Sequence, residues 1–316
     1  KYKDELLERM GSDNKMIRLL TNRARTNPKR IIFAEADQID VLKAAQIVHE
    51  EGIGFPILLG NKEIILELKE EIGFDIDVPI FDPKTKESEA KRLEYANHFW
   101  ETRKRKGVTL YEAEKWMRER NYFGLMMVNT GEADAMVTGH SRSYPSTIKP
   151  VMQLIDKAPG VSKIATTNMM MTARGPIFLS DTAINPNPSA DDLARIALMT
   201  AKTVRMFGME PVIAMVSYSN FGSSNNEGPS KVSQAVAYLH ENFPDLIVDG
   251  EIQTDFALNS DMLKSKFPFS KLVNKKVNTL IFPNLDAANI TYKLLKELNK
   301  AESIGPIILG LDKPVH

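Results

Sequence analysis

The run Ser217-Tyr-Ser-Asn-Phe-Gly-Ser-Ser-Asn-Asn-Glu-Gly-Pro-Ser-Lys231 gathers hydroxyls, amides and glycines directly behind an apolar, strand-like segment. A helix is predicted to begin near Pro229. Backbone N–H groups left free where a strand runs into a helix attract anions, and the helix dipole adds to the effect. Ser217, Ser219, Asn220 and Ser223 are therefore candidate contacts for a phosphate. The run is not a Walker loop, because no Gly-Lys-Ser/Thr follows a glycine at the required spacing. No G-x-G-x-x-G follows a strand either, so a dinucleotide fold has no support. On the residues alone two readings stand, an anion cradle and a flexible surface loop.

A second candidate is Thr138-Gly-His-Ser-Arg-Ser-Tyr-Pro-Ser-Thr-Ile-Lys-Pro150, in which Arg142 and Lys149 could hold phosphates with Ser and Thr hydroxyls beside them. The alternative is a solvated loop whose Ser146 or Thr147 caps the next helix. A third is Arg103-Lys-Arg-Lys106, either a solvated helix face or a receiver for nucleotide phosphates. Histidines number five, scattered without ligand spacing, and H-E-x-x-H is absent, so no metal site is predicted. No G-x-S-x-G elbow supports hydrolase chemistry. Met126-Met127 and Met169-Met-Met171 read as adaptable core filling.

These candidates need strands and helices to position them. Short apolar runs begin at Arg30, Phe55, Ala133, Gly175, Pro211, Leu246, Asn278 and Pro306, most of them beside a helical pattern such as Val41–Glu51 or Leu193–Phe207. Continuous apolar strands alternating with helices predict mostly parallel sheets covered on both faces. Ligands then bind where loops leave the carboxyl ends of strands. Those loops are Glu35-Ala-Asp37, Thr138–Ser143, Ser180-Asp-Thr182, Ser217–Ser224, Asp249-Gly-Glu251 and Pro283-Asn-Leu-Asp286, the last adding Asp286 to the candidates. Thr109-Leu-Tyr-Glu112 and Ser189-Ala-Asp-Asp192 have capping-box spacing and mark helix starts. Pro186 and Pro188 exclude helix before Ser189.

The composition sets bounds. With 316 residues the chain is long enough for two domains. Lys and Arg total 41, as do Asp and Glu, so no net field draws nucleic acid or an anionic membrane. Cysteine is absent, which removes disulfides and thiolate chemistry and favours a cytoplasmic setting. The chain opens on Lys1 rather than Met, so a piece of a longer protein is expected.

Ser180-Asp-Thr-Ala-Ile-Asn-Pro-Asn-Pro188, Ser217-Tyr-Ser-Asn-Phe-Gly-Ser223, Val248-Asp-Gly-Glu-Ile-Gln253, Ile281-Phe-Pro-Asn-Leu-Asp286, Asn289-Ile-Thr-Tyr-Lys293 and Gly305-Pro-Ile-Ile-Leu-Gly-Leu-Asp-Lys-Pro314 together resemble the phosphate acetyltransferase (phosphotransacetylase) family. The likeness runs in register from about Met16 onward. Phe221, where the active transferases usually have Lys, looks like the phosphotransacetylase-like domain at the C-terminus of bacterial NADP-dependent malic enzymes, and residues 2–10 resemble the helix leading into it.

The resemblance implies two α/β domains with mostly parallel sheets and an interdomain cleft, phosphotransacetylase- or isocitrate-dehydrogenase-like. Residues 1–15 would be a linker helix, 16–159 plus 306–316 domain I, and 160–305 domain II. It implies coenzyme A or acetyl-CoA as ligand, no metal in this domain, at least a homodimer, and an upstream malic-enzyme domain using NADP and a divalent metal. Arg103 matches a family arginine; Lys149 stands where the transferases have Arg, losing the bidentate fork; Glu297 inverts a CoA-associated Arg. The family's catalytic Ser, Arg and Asp would lie beyond His316. The expectation is an acetyl-CoA-binding regulatory and oligomerisation domain. An active phosphate acetyltransferase and a purely structural module are the alternatives.

Overall fold

The computed structural model describes residues 11–141, 144–299 and 302–316. Residues 1–10 of the expected linker helix, and Arg142 among the expected site residues, lie outside them. The first described element is α1 (Gly11–Arg25). The chain divides into two compact units, one of Ile17–Pro159 with Leu311–His316, the other centred on Gly160–Gly310. Where the sequence reading returned the chain to the first domain at 306, residues as far as Leu309 remain in a strand of the second unit.

In the first unit, β1 (Lys29–Phe33), β2 (Gly54–Leu59), β3 (Ile80–Phe81) and β4 (Ala135–Val137) form a wholly parallel sheet in the order β3-β2-β1-β4. Consecutive side chains of a strand point to opposite faces, and here both faces are buried. Ile32, Ile57 and Leu59 meet Tyr95, Phe99, Phe123 and Met126 from α4 (Glu89–Arg103) and α6 (Arg120–Asn129). Phe33 and Leu58 meet Leu42, Ile65 and Phe74 on the side of α2 (Ile39–Glu50) and α3 (Lys62–Ile72). The helix α5 (Leu110–Trp116) starts on the expected capping box: the Thr109 hydroxyl accepts the Glu112 amide and the Glu112 carboxylate accepts the Thr109 amide. The tail comes back to this sheet, with Val315 bridging Met136 in parallel and the amides of Met136, Thr138 and His316 all bonded across the join.

The second unit holds a six-stranded sheet in the order β10-β5-β6-β9-β7-β8. Its strands are β5 (Ala165–Thr172), β6 (Gly175–Ser180), β7 (Val212–Val216), β8 (Ile247–Ile252), β9 (Thr279–Ile281) and β10 (Ser303–Leu309). β6, β9, β7 and β8 run parallel, whereas β10, β5 and β6 pair antiparallel. The strand β5 was not anticipated as such: Thr166, Thr167 and Asn168 interrupt its apolar pattern, yet all three are buried. α8 (Ala190–Met206) and α9 (Glu227–Asn242) cover one face through Leu193, Ile196, Val232 and Leu239. The short α10 (Thr254–Leu258) and α11 (Ser260–Lys266), with α12 (Leu285–Asn299), cover the other. α8 opens on the Ser189–Asp192 capping box, an aspartate serving where glutamate is usual. Among the described residues no helix is long and apolar enough to cross a membrane.

Candidate functional site

The Ser217–Ser224 loop leaves the carboxyl end of β7 and is closed on itself by hydrogen bonds. Ser217 Oγ accepts the Ser219 amide at 3.3 Å, and Ser223 Oγ accepts the Asn220 amide at 3.0 Å. The Ser223 amide returns to the Asn220 carbonyl at 3.0 Å. The Asn220 side chain exchanges bonds with Gln253, receiving its amide at 2.8 Å and donating to its Oε1 at 2.7 Å.

At the centre sits Glu251, from the neighbouring parallel strand β8. Its Oε1 accepts the Ser219 hydroxyl at 3.0 Å and the Gly222 amide at 2.6 Å, and its carbonyl accepts the Phe221 amide at 2.8 Å. Glu251 is buried, and its Oε2 has no hydrogen-bond partner among the described residues. Donors that the sequence reading offers to an external anion thus face a carboxylate of the protein itself. Gly250 before it sits at φ 145°, where a Cβ would stand 2.4 Å from the Met215 carbonyl oxygen, so only glycine admits this close strand approach.

Phe221 occupies the left-handed region, at φ 46°, which a bulky residue adopts only when its surroundings require it. Its ring lies 5.0 Å from Phe267 and 5.0 Å from Phe269, and Phe267 continues to Phe256 at 5.2 Å. Such tilted and edge-on pairs stabilise by about 0.5–1.5 kcal/mol each beyond the area they bury. The tip of this loop is therefore apolar and aromatic.

Two further loops open at the same end of the sheet. After β6, Asp181 is buried and accepts the Thr166 amide and hydroxyl at 2.9 and 2.6 Å, and the Asn185 amide at 2.9 Å, which fixes the Asn185-Pro-Asn-Pro188 turn. Lys231 on α9 donates to Asn187 Oδ1 in that turn at 2.6 Å. Partial burial draws its pKa below the ordinary lysine value, with Glu227 opposing. After β9, Asn284 accepts the Ala287 amide at 2.9 Å and leads into α12, leaving Asp286 exposed in its first turn. Among the described residues no hydrogen bond joins Asp286 to the serine loop.

In the first unit Glu35 plays the part that Glu251 plays in the second. It follows β1, is buried, and its carboxylate accepts the Gly139 amide at 2.8 Å and the Ser141 amide at 2.6 Å, together with the Ser141 hydroxyl. Burial pushes its pKa up, but the bonds from Ser141 and Gly139 and the charge of Arg120 outweigh it, and the net shift is downward. Arg120 also forks onto both oxygens of Asp37 at 2.8 and 3.0 Å. The clamped loop leads into α7 (Tyr144–Leu154), which carries Lys149 exposed. Arg103, at the end of α4, reaches the Met152 carbonyl of α7 at 3.5 Å, so these two cations stand on neighbouring helices. Lys104 turns away to Glu101 and lies 4.9 Å from the centre of the Trp100 ring.

Of the expected site residues, the structure brings together Ser217, Ser219, Asn220 and Ser223 in one loop, and Arg103 and Lys149 on one helix pair. Sequence reasoning passed over Glu35, Asp181, Lys231 and Glu251 as site residues. Three of the four fall inside loops it had singled out, and Lys231 closes its principal motif. The missing information was which loop each side chain would cross to. Among the described residues no three His, Asp or Glu side chains gather as a metal site would require.

Residues 15–316 match the family described as "Phosphate acetyl/butaryl transferase". The chain is 39% identical to the phosphate acetyltransferase of Thermoanaerobacterium thermosaccharolyticum, over 95% of this chain and 92% of that protein. It is 34% identical to the NADP-dependent malic enzyme of Salmonella typhimurium, over 100% of this chain but 42% of that protein, in its C-terminal part. Among solved structures, the EutD phosphotransacetylase from Staphylococcus aureus superposes with a TM-score of 0.85 at 32% identity, covering 96% of this chain and 92% of that one.

Proposed function

The chain belongs to the phosphate acetyl/butaryl transferase family, and from that premise we propose that it is an acetyl-CoA-binding regulatory domain of an NADP-dependent malic enzyme that does not itself transfer acetyl groups. Transfer of acetyl from a phosphate to a thiol needs a base for the thiol and cationic donors for the charge that develops. The observation that carries the reading is the Ser217–Ser224 loop. Its tip is the ring of Phe221 packed on Phe267 and Phe269, and its Ser219 and Gly222 donors are held by Glu251. A loop so arranged shapes a binding surface and offers no cation to a transition state.

Binding asks less. Lys231 with Asn187, at the end of the motif that carries the serine loop in the second unit, supplies donors for the phosphates of a CoA ligand. A ligand so held changes a distant active site only by favouring one global state over another. The upstream enzyme domain and its NADP and divalent metal form part of this proposal.

The test is on the full-length protein. We expect no acetyl-CoA formation from acetyl phosphate and CoA, micromolar binding of acetyl-CoA by calorimetry, and a changed rate of NADP-dependent malate oxidation when it binds. Acetyl transfer at an enzymatic rate would overturn the proposal in favour of an active phosphate acetyltransferase, the reading favoured by 39% identity over nearly all of the Thermoanaerobacterium enzyme. Absence of both binding and turnover would leave a structural module.

A further inference from the structure

The lysines of the chain differ in what holds them. Lys62, Lys91, Lys104 and Lys163 each meet a carboxylate, of Glu87, Glu132, Glu101 and Asp192. A carboxylate neighbour favours the protonated amine, which has no electron pair to give. Lys231 has a neutral partner instead. Its side-chain hydrogen bond goes to the Asn187 amide oxygen at 2.6 Å. The turn that faces it, Asn185-Pro-Asn-Pro188, carries no charge. That turn is itself pinned, because Asp181 accepts the Asn185 amide at 2.9 Å and the Asn185 side-chain N–H at 2.5 Å. Lys231 is thus a half-buried amine tied to one place, one turn inside α9 and a short way beyond the serine loop. Burial favours its neutral form, Glu227 one turn earlier on the same helix opposes, and the net shift is downward. An amine so placed becomes a nucleophile closer to neutral pH than an ordinary lysine does.

We propose that Lys231, positioned by Asn187, is an acetylation site of this chain, modified without a second enzyme by an activated acetyl donor, either acetyl phosphate or an acetyl thioester. The unprotonated Nζ attacks the carbonyl carbon and an N–C bond forms. The C–O bond to phosphate, or the C–S bond to the thiol carrier, breaks. The departing phosphate or thiolate keeps the electron pair of that bond, and the proton lost by nitrogen passes to it or to water. An acyl phosphate carries its carbonyl beside its charge, so a lysine that attracts the phosphoryl group stands next to the carbon it attacks. An amide then replaces the cation, and a phosphate donor is lost. The regulatory consequence rests on the ligand reading above: once acetylated, Lys231 no longer holds a CoA phosphate, so a surplus of activated acetyl lowers the domain's affinity for its own effector. The acetylation itself stands apart from that reading.

Peptide mass spectrometry on the full-length protein tests it, after incubation with acetyl phosphate alone and, separately, with acetyl-CoA alone. The exposed Lys271 is the internal reference. Lys231 should gain an acetyl group several-fold faster than Lys271 with at least one donor, and the donor that works identifies the source. Asn187→Asp supplies the missing carboxylate, and should slow acetylation of Lys231 several-fold while leaving Lys271 unchanged. Its circular dichroism spectrum should match wild type, since Asn187 is exposed. Acetylation of Lys231 no faster than that of Lys271 with either donor, or an unaltered rate in Asn187→Asp, overturns the proposal. Calorimetry separates this result from the ligand reading. Unmodified protein that binds no acetyl-CoA refutes that reading, whereas the acetylation rates are judged independently of it. Acetyl-CoA binding undiminished after acetylation of Lys231 overturns the regulatory consequence.

Discussion

The Ser219 hydroxyl donates to Glu251 Oε1 at 3.0 Å, tying the loop after β7 to the strand β8 beside it. The same oxygen takes the Gly222 amide at 2.6 Å, so one carboxylate oxygen holds both limbs of the turn. The second oxygen is enclosed and has no hydrogen-bond partner among the described residues. Glu251 thus sets the loop's shape and also places a fixed acceptor where a bound anion would want donors.

Replacing that carboxylate by an amide should therefore change anion binding more than stability. Glu251→Gln keeps an oxygen for Ser219 and Gly222, and we expect a loss of about 1 kcal/mol or less in urea unfolding. Phosphate affinity, read by calorimetry, should rise several-fold. Glu251→Ala should instead lose about 2–4 kcal/mol, because buried donors are stranded. Equal effects of Gln and Ala would contradict this division.

The Glu35 clamp makes a pH prediction. Its carboxyl pKa is lower in the folded chain than the ordinary 4.5, so its contribution is fully present above that value and fades as pH falls through the folded pKa. Glu35→Gln should flatten the acid limb of the stability curve, below the ordinary carboxylate value, relative to wild type. Glu35→Ala, which strands the Gly139 and Ser141 amides, should lower stability by about 2–4 kcal/mol at neutral pH.

Phe221→Ala removes two ring contacts and partly buried apolar area, and should cost about 2 kcal/mol in thermal or urea unfolding. Phe221→Lys should lose about as much stability without creating acetyl transfer. Transfer activity in that variant would show that the loop tip alone separates binding from catalysis.

Lys231→Ala should weaken acetyl-CoA binding by about 1–3 kcal/mol, with the unfolding curve little altered. Since burial depresses the Lys231 pKa, binding should begin to fall with rising pH earlier than an exposed lysine would cause, and Lys231→Arg should remove that decline. Unchanged affinity in the alanine variant removes Lys231 from the site.

Strands with β-branched or aliphatic runs, such as Arg30-Ile-Ile-Phe and Pro211-Val-Ile-Ala-Met-Val, were legible because a sheet covered on both faces demands uninterrupted apolar sequence. Both capping boxes were legible because their partners are three residues apart. β5 was not: Thr166, Thr167 and Asn168 are buried by contacts with Asp181, Leu179 and Thr182 that no local pattern announces. The serine loop could be found, but its use could not. That depends on Glu251 crossing from β8, a pairing of strands distant in sequence. Glu35 and its loop are separated in the same way, by more than a hundred positions.

In sequence, the first unit is interrupted by the segment that builds most of the second. The β4 edge of the first unit is lined by residues 311–316, whereas the main segment of the second unit, Gly160–Gly310, is uninterrupted. On a ribosome, the second unit can close while the first still waits for its last strand-like segment. Assembly order is thereby written into connectivity: the region emerging earliest reaches its final form last, with the flank of β4 open to wrong pairing in the interval.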